Sequence, residues 1–149
     1  MKNEKLKCNG PNCACSHHSM EEIMQWQTDM IAKHGFYIHY TPGENLSLCN
    51  FHTHGILENL LHPDFQIVVP ISPKAAYNII WTLVDMVKEG HRFNAGDKVD
   101  KVIQNFPITF IVAEECEREL LRLILPDKKG NLSKEDIEGA FTLQYSKLK

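Results

Sequence analysis

The chain has 149 residues and a mass of 17.1 kDa, which suits one domain and is short for two. Sixteen Lys and Arg against nineteen Asp and Glu give a formal charge of −3. That balance excludes the basic excess expected of a nucleic-acid or anionic-membrane binder, and the length excludes scaffolds such as TIM barrels of about 250 residues.

Met1–Lys7 is polar and followed by polar residues, so the apolar stretch of about 7–15 residues that a signal peptide needs is missing. No run approaches the roughly 18 apolar residues of a membrane helix. A cytoplasmic location, with neither membrane nor nucleic acid as partner, is the expectation. Residues 1–18 hold Gly10, Pro11 and three of the five cysteines with almost no large apolar side chain. Alone they could not bury a core. The chain therefore divides into a Cys/His-rich tail, 1–18, and a domain, 19–149.

Ser19-Met20-Glu21-Glu22 is a capping box, and Ile23, Trp26 and Met30 follow at helical spacing up to Gly35, which predicts a helix over 20–34. Aromatic and β-branched residues make Phe36–Tyr40 a strand; Thr41–Asn45 is a turn, and Leu46–Thr53 a second strand of a hairpin. Gly55–Leu61 is a short helix or loop. Phe65–Val69 is nearly continuous and apolar, as in strands buried on both faces. Ser72-Pro73 starts a helix over 73–89, where Ala76, Ile79, Ile80, Leu83, Val84 and Val87 recur at three and four residues before Gly90. His91–Lys98 is a loop. Phe106–Ala113 is a strand with Pro107 at its start. Glu114–Glu119 reads as a helical turn, and Leu120–Leu125 as a strand ended by Pro126–Asn131. The fold class is α+β: one small domain, a mixed or antiparallel sheet with packed helices.

His62-Pro63-Asp64-Phe65 with its strand, the helix from Pro73, Gly90…Phe93…Gly96, and Leu125-Pro126-Asp127…Gly130 occur in this order. Together they resemble the bacterial family called domain of unknown function 4262, over about residues 20–145. The resemblance implies a small α+β domain and no particular activity. Typical members carry Tyr-Thr-x-Gly-Leu where this chain has His52-Thr53-His54-Gly55-Ile56, and the Cys-rich head lies outside the usual domain.

Two clusters carry metal-ligand chemistry. Cys8, Cys13, Cys15, His17 and His18 place thiolates and imidazoles within eleven residues, enough to wrap one ion, zinc first and copper(I) second. Alternatives are a redox thiol pair or an inert tail. His52 and His54, two apart on a strand, share one face. His62, Asp64 or Glu58 could complete that site; otherwise the histidines serve the backbone. His52, His54 and Glu58 partly echo a cupin, without its flanking glycines. Glu114, Glu115, Glu117, Arg118, Glu119 and Arg122 read as a solvated helical face, Arg118 and Arg122 pairing with Glu114 and Glu115. Trp26, Trp81, Cys49 and Cys116 read as buried. The leading expectation is a zinc-binding protein using the head cluster, with His52, His54 and His62 as a second set of ligands. Its rivals are a small metal-dependent hydrolase built on His52 and His54, and a metal-free interaction module.

Overall fold

The structure, a computed structural model, describes residues 19–42, 49–69, 71–115 and 117–145. Helix α1 spans Met20–His34. The Ser19 side chain accepts from Glu22 N at 3.2 Å, while Glu22 Oε1 accepts from Ser19 N at 2.9 Å. Gly35, at φ 87, then donates its N–H to Ile31 O and stops the helix. Strand β1 is Tyr37–Pro42, β2 is Cys49–His54, α2 is Ile56–Leu60 and β3 is Phe65–Ile67. Helix α3, Pro73–Lys88, begins as its sequence predicts: Ser72 accepts from Ala75 N, with Pro73 in the first turn. Strands β4 (Lys98–Val99), β5 (Ile108–Glu115) and β6 (Arg118–Ile124) follow, then a 3-10 segment, Gly139–Tyr145.

Among the described residues the strands form one mixed sheet in the order β1-β2-β3-β6-β5-β4. β3 lies inside it, antiparallel to β2 and parallel to β6, which suits an apolar segment interrupted only at Gln66. Ala76, Ile79, Ile80, Leu83, Val84 and Val87 of α3 are buried. They share a core cluster with Ile38, Phe51, Phe65, Ile67, Phe110, Leu121 and Leu123, which strand alternation assigns to one face of the sheet. Burying each large aliphatic side chain contributes about 1.5–3 kcal/mol, so this contact dominates the fold.

Three expectations are corrected. Glu114–Glu119 is not helical: Glu114 pairs with Glu119 and Glu115 with Arg118 across β5 and β6, and the chain reverses through Glu117 at φ 64. The helix preference of Glu is a few tenths of a kcal/mol, too little to oppose extension of a sheet ladder between two apolar strands. Arg118 Nη1 lies 3.1 Å from Asp64 Oδ2, and Arg122 is buried in the sheet rather than on a solvated face. Trp26 is 46% exposed, lying edge-on to Tyr37 outside the core, whereas Trp81 is partly buried against it. Thr41 and Pro42, expected in a turn over 41–45, belong to β1 instead. Residues 43–48, Cys116 and the Cys49 side chain lie outside the described residues, as does the entire head.

Candidate metal centre

The register of β1 and β2 builds the site. His39 stands directly opposite His52, and Tyr37 opposite His54. Residues two apart on a strand share a face, so His39, His52 and His54 converge on the side of the sheet away from α3. One ligand atom from each lies within 4.8 Å of the others. His39 Nδ1 is 3.2 Å from His52 Nε2. Two imidazole nitrogens on a tetrahedral zinc, each about 2.0–2.1 Å from the metal, are about 3.3–3.4 Å apart, so this pair already has ligand spacing. His52 is buried, whereas His39 and His54 are half-buried.

His52 is also held from behind. Its Nδ1 lies 3.0 Å from Asn50 Oδ1, leaving Nε2 toward His39. Metal-binding histidines characteristically donate their second ring N–H to an oxygen, which fixes the ring and its tautomer. Asn50 Oδ1 also accepts from Gln66 Nε2 at 3.1 Å, and Gln66 Oε1 accepts from Arg122 Nε at 2.8 Å. The sheet aligns this row: His39 pairs with His52, His52 with Gln66, and Gln66 with Arg122. Arg122 Nη1 donates to Gln144 O, joining the row to the 3-10 segment.

The electrostatics keep the imidazoles of His52 and His54 neutral. Burial lowers His52 to about 2, assisted by His54, His39 and Arg118. Burial, then Arg118 and His39, lowers His54 to about 4. A neutral imidazole is the form that binds metal. Arg118 is fixed nearby, with Nη2 donating to Thr53 O at 2.7 Å.

The end of β2 is pinned by Asp64. Its Oδ1 accepts from Thr53 Oγ1 and Ile56 N, and its Oδ2 accepts from Leu57 N and faces Arg118. Burial raises the Asp64 pKa against these stabilising partners. Gly55, at φ 107, follows His54 directly; a Cβ there would lie 2.5 Å from Ile31 Cδ1 and 2.7 Å from Gly35 O. Only glycine fits this close, left-handed turn.

Of the expected ligands, His52 and His54 come together, and His62 does not join them. Its Nδ1 bonds Pro63 O, its Nε2 accepts from Phe93 N, and it lies against the rings of Phe65 and Phe93. Burial lowers its pKa as well. Asp64 is committed to the β2–α2 turn, and Glu58 is exposed on α2. Cys8, Cys13, Cys15, His17 and His18 lie outside the described residues. The third histidine, His39, is missed by spacing within one strand. A hairpin pairing residues whose numbers sum to 91 would have revealed it, but a turn read as starting at Thr41 conceals that register.

Residues 30–136 match the model of a family described as a domain of unknown function (DUF4262), and the chain belongs to that family. The match includes all three histidines, Asn50, Gln66 and Arg122. No curated protein and no solved structure gives a match.

Proposed function

We propose that this protein binds a divalent transition metal, zinc first, through His39, His52 and His54, and acts in the cytoplasm. The observation that carries the reading is the convergence of three imidazoles within 4.8 Å on one sheet face. The neutral state of His52 and His54 and the Asn50 contact behind His52 add support. Among the described residues no helix is long and apolar enough to cross a membrane.

Partial exposure of His39 and His54 favours an open site over a closed structural one. Three protein ligands leave a fourth position for water, whose pKa zinc lowers to about 7. This supports the metal-dependent hydrolase as the second reading. The Cys8–His18 head remains a separate proposed site for zinc or copper(I), based on its thiolate and imidazole spacing.

Cobalt(II) titration of the full chain tests both sites together. Thiolate ligation gives a charge-transfer band in the near ultraviolet, which belongs to the head; a histidine-only site gives none. His39→Gln and His54→Gln are each expected to remove about one bound metal per chain and leave any thiolate band intact. An unchanged metal count in both variants would refute the three-histidine site. No bound metal in the wild type would leave the interaction module as the surviving reading.

A further inference from the structure

We propose that Gln66 is a positioning residue for the three-histidine site: through Asn50 it decides which ring nitrogen of His52 presents its lone pair to His39. The consequence for metal affinity rests on the metal-site reading above; the proton's position does not.

The argument starts at Arg122, because a guanidinium only donates. Arg122 Nε donates to Gln66 at 2.8 Å, so the Gln66 atom facing it is Oε1. Arg122 is itself oriented by Gln144 O at 2.9 Å, and Gln144 is clamped to both backbone groups of Leu125. With Oε1 committed, Gln66 turns its NH2 toward Asn50, 3.1 Å away, and Asn50 must answer with its oxygen. That same oxygen stands 3.0 Å from His52 Nδ1. An acceptor there places the proton on Nδ1 and the lone pair on Nε2, 3.2 Å from His39 Nδ1. Each contact sets the polarity of the next. Gln66 is fully buried, and Arg122 and His52 are each 3% exposed. Buried donors facing donors are rarely tolerated, so the order of the chain is enforced along its length.

The polarity can be reversed by one substitution. In Gln66→Glu both side-chain oxygens accept, and the charge of Arg122 keeps the carboxylate ionised and paired. Asn50 then has to turn its NH2 toward residue 66. The group facing His52 becomes a donor, and the His52 proton moves to Nε2. Asn50→Asp has the opposite logic: either carboxylate oxygen accepts from both neighbours, so His52 keeps its proton on Nδ1.

Long-range 1H–15N correlation spectra of the metal-free full chain at neutral pH read the tautomer directly. The wild type and Asn50→Asp are expected to show the Nδ1–H form of His52, and Gln66→Glu the Nε2–H form. Zinc affinity, measured by chelator competition, is expected to fall about ten- to hundredfold in Gln66→Glu. An Nε2–H form in the wild type, or an unchanged tautomer in folded Gln66→Glu, overturns the proposal. A switched tautomer with undiminished zinc affinity also overturns it. If Gln66→Glu does not fold, the wild type and Asn50→Asp decide: an Nε2–H form in either overturns it. Should the wild type bind no zinc while the tautomers follow this pattern, the metal reading fails and the positioning role stands.

Discussion

The two faces of the sheet solve burial differently. Against α3, Phe51, Phe65, Ile67, Phe110, Leu121 and Leu123 pack with apolar side chains, and many hydrophobic substitutions of similar volume would serve there. On the other face, His52, Gln66 and Arg122 are just as inaccessible, yet they are polar. Their burial is tolerable because each finds a directed partner, and that demand restricts residue identity far more than volume does. The apolar face supplies stability; the polar row supplies orientation, which a ligand site requires and a core does not.

The most severe disruption of this contrast is a charge in the apolar face. Val84 is fully buried in α3. Val84→Asp is expected to cost several kcal/mol and to lower the thermal midpoint by well over 5 °C, read by circular dichroism. A midpoint within about a degree of wild type would show that α3 does not cover the sheet as described.

Acid tests the polar face, with buried His62 adding a loss of the same sign. Unfolded histidines take up protons below about pH 6.5, whereas folded His52 and His54 resist until about 2 and about 4. Between pH 6.5 and about 4 the unfolded state binds more protons, so stability rises with pH and is lost on acidification. Going from pH 6.5 to 5, the loss is at most about 2 kcal/mol from His52, and less from half-exposed His54, where water screens the effect. Urea unfolding with chelator present, at pH 7.5 and 5, measures it. His52→Gln/His54→Gln should flatten the difference; an equal difference in the variant would mean that other groups carry it.

The smallest effect tests the corrected hairpin. Glu114 and Glu119 are exposed and directly opposed, an arrangement of like charges that destabilises a strand pair. Glu119→Lys is expected to stabilise by about 0.2–1 kcal/mol in low salt, and the gain should shrink as salt rises. In the helix that local sequence suggests, these residues would not be cross-strand neighbours. Destabilisation by Glu119→Lys would count against the register.

The local signals that proved legible share a short range. The capping box at Ser19, the Ser72-Pro73 start, the α3 stripe and the nearly continuous apolar run around β3 each arise from residues within a few turns of one another. The one-face projection of His52 and His54 is equally local. Glu114–Glu119 misled because its intrinsic preference is weak beside the ladder that two flanking apolar strands extend through it.

The family motifs divide in a similar way. His62-Pro63-Asp64 and Asp127…Gly130 prove to be structural nodes. Asp64 ties β2 to α2, and Asp127 accepts from the backbone of Lys129, Asn131 and Glu138. The candidate chemistry instead sits outside those motifs, at His39, His52 and His54.

By itself the sequence determined the α+β class, the amphipathic helix that covers the sheet, and the shared face of His52 and His54, because periodicity and capping act through neighbours along the chain. Tertiary structure alone decided that His39 completes the group, that His62 is withheld by Pro63 and Phe93, and that Gln66 and Arg122 stand behind His52. Apart from the adjacent pair His62–Pro63, those contacts span from 13 residues between His39 and His52 to 56 between Gln66 and Arg122. They exist only once strand register is set, and register is an energy shared by the whole sheet rather than a property of any one segment.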